Sequence, residues 1–335
     1  MATPAEEIAL AYYVRQQRIV RRAANAAQQA WRLLDLGHFE DSWRYAASAG
    51  LVGVISEGQT EAAAYSDAYV AAVLGASSLD SQPGGKLDAA AFAGVAADGR
   101  PLKSLVLESA LEAKWLLEEV GQTEIDAMIG GLEKLLRAVS TEVADAGRTA
   151  TGASIAGNRT INGYIRVVNP PACARCIILA GREFGWNAGF QRHPKCDCIH
   201  VPAKLLKRGR HHPGVFDAKA HFSGLSAAEQ NRIFTNAGAQ AIRDGANISS
   251  VVNARRGMYT ANAYGRSVRA TRDSTTRRGA WFRAERQRAI QRGLVPPSGG
   301  GFRLMSPRLR PEEIYTLAGS RSEAIAMLHR FGYMN

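Results

Sequence analysis

Tyr164-Ile165-Arg166-Val167-Val168-Asn169-Pro170-Pro171-Ala172-Cys173-Ala174-Arg175-Cys176 is the stretch on which the reading of this chain turns. Its first five residues alternate and are rich in β-branched side chains, the pattern of a short strand. Asn169-Pro170-Pro171 stops that strand at a rigid turn, which delivers Cys173 and Cys176 at knuckle spacing. After sixteen intervening residues comes His193-Pro194-Lys195-Cys196-Asp197-Cys198-Ile199-His200. All four cysteines of the chain lie within these 26 residues, and the other 309 positions hold none.

Thiols confined in this way, with histidines between them, point to one bound metal ion. Zinc is the natural occupant, because thiolate and imidazole in tetrahedral array are its preferred ligands. Six donors compete for about four places. Cys173 and Cys176 lead, Cys198, Cys196 and His193 follow, and His200 comes last. The donors suit a structural ion: five good ligands leave no open position, and no H-E-x-x-H accompanies them. A disulfide and a redox CxxC are the alternatives. Against the first, Glu6, Glu7, Arg15, Arg18, Arg21 and Arg22 interrupt the N-terminal apolar positions, so no secretory signal is visible. Against the second, a thioredoxin-like CxxC has no further thiol pair downstream.

Outward from the knuckle the chain divides by charge. Residues 1–150 carry a net charge of −7 and residues 151–335 a net charge of +19, within an overall +12 over 335 residues. Such asymmetry points to different partners for the two halves. Apolar residues make up 46% of the chain, enough for real cores, while no run of 18 apolar residues is present to span a membrane.

The periodicity predicts a mainly α protein. A long helix is expected over 5–36, stopping at Gly37, with further helices over about 39–56 and 60–76 and a loop over 77–85. Pro101 opens a helix whose apolar face runs from Leu102 to Val120, and Gly121 ends it. Thr123 and Asp126 resemble a capping pair for the next helix, whose stripe runs Ile125, Ile129, Leu132, Leu136, Val139 and Val143. The two form a helical hairpin. Residues 147–161, small and polar, read as a loop. Trp186 and Phe190 are expected to pack over the knuckle. After 203, Ser226 and Glu229 form a capping box for a helix to about 243. Arg266, Arg269 and Arg272 spread charge around a helix or coil, interrupted later by Trp281 and Phe282. Residues 295–301 read as a linker. Pro311 opens a short helix, and Ser320 with Glu323 caps a last one ending near Phe331. These elements group as a helical N-terminal module at 1–100, a core with the knuckle at 101–203, and a basic, arginine-rich tail at 204–335.

Residues 255–292 hold 11 arginines against Asp273 and Glu285. Arg255, Arg256, Arg266, Arg269, Arg272, Arg277 and Arg278 are the candidates for nucleic-acid contact, through the phosphates and without sequence preference, and contact with acidic protein surfaces is the competing use of the same charges. No P-loop or G-x-S-x-G occurs, no catalytic pairing is named, and His211, His212 and His221 read as surface histidines.

The segment from Val167 through Cys176, followed by His193-Pro194-Lys195-Cys196-Asp197-Cys198, resembles the Mu F-like (MuF) minor head proteins of tailed bacteriophages, in the type found in actinobacterial phages. That family carries a CxxC, a glycine shortly after it (here Gly181) and a terminal H-P-x-C-x-C. Asp197 stands where arginine is usual, and His200 is an additional donor. The resemblance is specific over about 160–202. It implies a minor capsid protein made beside the portal, bound to portal protein and to major capsid or scaffold protein. It further implies a place inside the capsid near the portal vertex, with the host cytoplasm as the site of assembly and a role in head morphogenesis and DNA packaging or ejection. A capsid maturation protease is the alternative the resemblance leaves open. A zinc-containing nucleic-acid-binding regulator is the third reading.

Overall fold

The computed structural model describes residues 3–168, 172–189, 198–205, 217–298 and 301–334. The protein is mainly helical, with 59% helix and 11% strand, and its strands form small antiparallel sheets. The chain forms two compact units, Met1–Pro170 with Gly181–Val215, and Pro171–Ala180 with Phe216–Asn335. None of its described helices is long and apolar enough to cross a membrane.

The first unit opens with α1 (Pro4–Trp31), capped by a reciprocal pair between Thr3 and Glu6. It buries Tyr12, Gln16, Ile19, Ala23, Ala27 and Trp31, one residue per turn along a single face. The helix stops at Trp31, five residues short of the expected end, because the chain turns there to bring Leu34 and Leu36 into the core. Then follow α2 (Phe39–Asp41), a π-helical stretch at Ser42–Ala47, α3 (Ser48–Ala64), and α4 (Ser66–Ala76) after a break at Tyr65. A short 3-10 turn spans Ala89–Phe92. The expected hairpin is α5 (Leu102–Glu118) and α6 (Glu124–Ala156), with Gly121 in the left-handed region and Thr123 capping α6 through the Asp126 N–H.

One core unites these helices across residue 100, from Ile19 on α1 through Leu51 and Ile55 on α3 and Val106 on α5 to Val139 and Val143 on α6. Small residues let the helices approach closely. A Cβ on Gly131 would lie 2.7 Å from the Ala113 Cβ and 2.8 Å from the Trp31 ring.

Residues 147–156 are helical, where a loop was expected. Gly147, Ala150, Thr151 and Ile155 belong to the buried face of α6, so their small size serves packing and not a turn. The Thr151 Oγ1 lies 2.9 Å from the Tyr12 hydroxyl and donates to the Gly147 carbonyl at 2.8 Å. The Tyr12 ring stacks on Tyr69 at 4.0 Å. These aromatics lead into a second core, where Val70, Val73 and Ile155 meet Tyr164, Ile199 and Val201 of the sheet.

That sheet has the order β2–β1–β3, with β1 at Gly163–Val168, β2 at Glu183–Gly185 and β3 at Cys198–Ala203, all antiparallel. The expected strand is its centre. The two flanking strands lacked a signal: β2 has three residues, and β3 contains Pro202. Pro202 is tolerated because β3 lies at the sheet edge.

The second unit begins with α7 (Ala174–Ile177) and continues with α8 (Ala218–Gly224), α9 (Ala227–Phe234), α10 (Asn236–Arg243) and α11 (Ile248–Asn253). The Ser226–Glu229 capping box is present, but the helix expected through 243 breaks at Thr235. Thr235 takes φ +67° and caps α10 by accepting the Gly238 N–H.

Arg266, Arg269 and Arg272 do not lie on a helix. The first two belong to a β-hairpin, β4 (Met258–Ala263) with β5 (Arg266–Thr271), and Arg272 follows directly. Tyr259, Ala261, Val268 and Ala270 alternate toward one side, and Tyr264-Gly265 form a two-residue turn with φ +55° and +70°. The strand β6 (Arg308–Leu309) adds to β5, and α12 (Ala280–Gln291), α13 (Pro311–Leu317) and α14 (Arg321–Arg330) complete the unit. Trp281 is only 1% exposed and faces Phe331, so it anchors this core. Arg308, equally buried, binds Asp273 at 2.7 Å, donates to the Phe331 and Gly332 carbonyls, and lies against the Tyr333 ring.

Candidate functional site

The CxxC pair sits on the shortest helix of the second unit. Cys173 is the N-cap of α7, and its sulfur accepts the Cys176 N–H at 3.4 Å. Cys173 is exposed and Cys176 is buried. Arg175, between them, donates to the Asn253 side chain of α11 and so fastens the turn to the unit. Arg255 is half-buried nearby. Burial pushes its guanidinium pKa down and the Arg310 charge adds to that, while the negative charge of Glu312 acts in the opposite sense.

Cys198 belongs to the first unit. It opens β3 opposite Val168 and is fully buried. Its sulfur accepts two hydrogen bonds from the Arg166 fork, 3.1 Å from Nε and 2.9 Å from Nη2. Arg166 is itself 1% exposed. Cys173, Cys176 and Cys198 are all outside disulfides. His193 and Cys196 lie outside the described residues.

His200 sits two residues along β3, opposite Arg166. Its ring lies 4.2 Å from the Tyr164 ring, and its carbonyl accepts the Tyr69 hydroxyl at 2.8 Å. It lines a groove of about 710 Å³ with Tyr164, Trp186, Arg148 and Asp145. Phe190, expected with Trp186 over the knuckle, lies outside the described residues.

Among the described residues, no three His, Cys, Asp or Glu side chains gather as a metal site. Of the described candidate donors, Cys173 and Cys176 belong to the second unit and Cys198 and His200 to the first. Arg166 was not singled out as a site residue. The only signal for it was a charged residue at the centre of an otherwise apolar strand.

The basic candidates are placed as follows. Arg255 is half-buried beside α9, with Nη1 3.5 Å from the Ile233 carbonyl. Arg266 and Arg269 both reach Glu313, at 3.7 and 3.0 Å. Arg256, Arg272, Arg277 and Arg278 are exposed. His221 lies on α8, and His211 and His212 lie outside the described residues.

A helical body, a three-stranded sheet and a cysteine turn thus define the protein's class, without a constellation that names a reaction. Residues 3–219, nearly two thirds of the chain, match the family described as VG15 protein, and the chain belongs to that family of phage proteins. The match takes in every described element of the first unit together with α7, and ends just inside α8. Comparisons with curated proteins and with solved structures gave no match.

Proposed function

We propose that this phage protein is a minor head protein, carried inside the capsid near the portal vertex, and that one structural zinc ion closes its cysteine knuckle. The observation that carries the reading is the VG15 match over residues 3–219, because it contains the whole segment whose cysteine pattern resembles the MuF proteins. The net negative charge of residues 1–150 and the helical body suit docking on a protein shell, with portal protein first and major capsid or scaffold protein next. Cys173, Cys176, Cys196 and Cys198 are the proposed ligands, and His193 competes for a place. Zinc would supply local folding energy to a segment too small to build a core.

The test is composition. Purified virions and purified empty heads are compared by quantitative mass spectrometry, and tagged portal protein is used to capture the chain from infected cells. A few copies per head, retained with the portal, support the reading. A protein abundant in the lysate but missing from both particles overturns it.

A further inference from the structure

We infer that the turn joining β5 to α12, together with the base of the β4–β5 hairpin, is a binding surface for the phosphodiester backbone of nucleic acid. The inference stands on charge placement in the second unit and does not depend on the head-protein reading.

The acidic groups of this unit are already engaged. Asp244 binds Arg321 at 2.7 Å, Asp273 binds Arg308, Glu285 binds Arg288 and Arg330, Glu312 binds Arg310 at 3.1 Å, and Glu313 takes Arg266 and Arg269. Asp217, Glu229 and Glu323 accept backbone N–H groups at helix starts. Arg256, Arg272, Arg277, Arg278 and Arg283 are left exposed, with no carboxylate in ion-pair range among the described residues.

Hydrogen bonds to the backbone draw these five positions together. The Arg272 N–H donates to the Gly257 carbonyl at 3.0 Å, which sets Arg256 and Arg272 side by side at the hairpin base. The Arg272 guanidinium lies over the Tyr259 ring at 5.5 Å. Arg277 and Arg278 follow on a turn with little freedom. The Thr275 hydroxyl donates to the Arg272 carbonyl at 2.6 Å, Gly279 donates to Thr276 at 2.7 Å, and the Phe282 N–H donates to Ser274 at 3.1 Å. Position 279 has room only for glycine, since a Cβ there would lie 2.2 Å from the Ser274 carbonyl oxygen. Buried Trp281 holds the end of the turn, and Arg283 stands on the first turn of α12.

A cluster of like charges held together by the backbone costs electrostatic energy in the free protein. A polyanion with regularly spaced charges removes that cost, and a turn already held by internal hydrogen bonds has less ordering to lose on binding. Guanidinium groups suit phosphate because they bind it through two parallel N–H donors.

The experiment titrates the full-length protein with a labelled random-sequence duplex of about 30 base pairs over a salt series starting at about 50 mM. The variant Arg272→Gln/Arg277→Gln/Arg278→Gln/Arg283→Gln should bind at least about tenfold more weakly at the lowest salt, and its log–log salt slope should flatten by about three. The same four positions changed to Lys should keep most of the slope, which separates lost charge from lost structure. Arg18→Gln/Arg21→Gln on α1 should leave binding unchanged. The inference is overturned if the four-Gln variant binds like the parent, or if the α1 variant loses as much. Equal binding of poly-glutamate, sensitive to the same four changes, would also overturn it in favour of an acidic protein surface.

Discussion

Arg166 on β1 and Cys198 on β3 are diagonal neighbours across the two strands, both buried, with two guanidinium N–H groups on one sulfur. The pairing ties the centre of the first sheet to the cysteine pattern, and it makes the two residues energetically interdependent. Arg166→Leu should destabilise the first unit by about 3 kcal/mol, since it removes both hydrogen bonds to the buried Cys198 sulfur. Cys198→Ala should cost a similar amount, because it takes the sulfur acceptor from two buried guanidinium N–H groups and removes a proposed zinc ligand. The double change should cost clearly less than the sum, by roughly 1–3 kcal/mol in a double-mutant cycle read by urea unfolding. Additive losses would show that the contact carries no coupling.

Elemental analysis of purified protein should find about one zinc per chain. Cys176→Ser should lower that content and loosen the segment around α7, while the far-ultraviolet signal of the long helices stays unchanged. Full metal-free folding with a Cys173–Cys176 disulfide would exclude the zinc reading.

The helix core makes a paired prediction. Gly131→Ala should destabilise by about 1–3 kcal/mol, because its Cβ would press on Ala113, Ser109 and Trp31. Gly152→Ala, on the same helix with nothing within 4 Å of the new Cβ, should be neutral or stabilise by up to about 1 kcal/mol. Thermal melts of the two variants distinguish packing from backbone entropy.

Acid should weaken the second unit through Asp244 and Glu313. Burial opposes ionisation of both carboxyls, but hydrogen bonds outweigh it and hold both pKa values below the ordinary range: Tyr315 and Arg321 bind Asp244, and Arg269 binds Glu313. Depressed values mean that this stability is fully present above the ordinary carboxylate range. It is lost as pH falls through the lowered values. Amide exchange of the second unit, measured from neutral to strongly acid pH, should show that decline, and Asp244→Asn/Glu313→Gln should flatten it.

The hairpin turn carries a residue that its backbone does not favour. Tyr264 has φ +55° and an exposed ring, a position where asparagine is cheaper. Tyr264→Asn should therefore stabilise the second unit by roughly 0.5–1 kcal/mol in thermal unfolding.

Much of the helical body was legible because it depends on local signals. Thr123 with Asp126, Ser226 with Glu229, and Pro311 each start a helix at the expected place. What escaped depends on contacts distant in sequence. Gly147, Ala150 and Thr151 look like a loop until Tyr12 and Gln16 are set against them. The arginines of β5 masked a strand whose small inward residues, Val268 and Ala270, are too few to show a period alone. Glu313 and Arg269 lie 44 positions apart, so no pattern of spacing reveals that they meet. The cysteine cluster was visible in composition, whereas the role of Arg166 beside Cys198 needed the register of two strands.

Between β1 and β2 the chain leaves the first unit, gives residues 171–180 to the second, and returns. The two units therefore cannot be exchanged at a single point in the gene. A crossover near codon 216 that brought in a foreign C-terminal region would leave behind the ten residues carrying Cys173 and Cys176, matched to the old α11 through Arg175 and Asn253. Inheritance of this tail is bound to inheritance of the knuckle, and any recombinant that separates them must repair that fit before its second unit folds well.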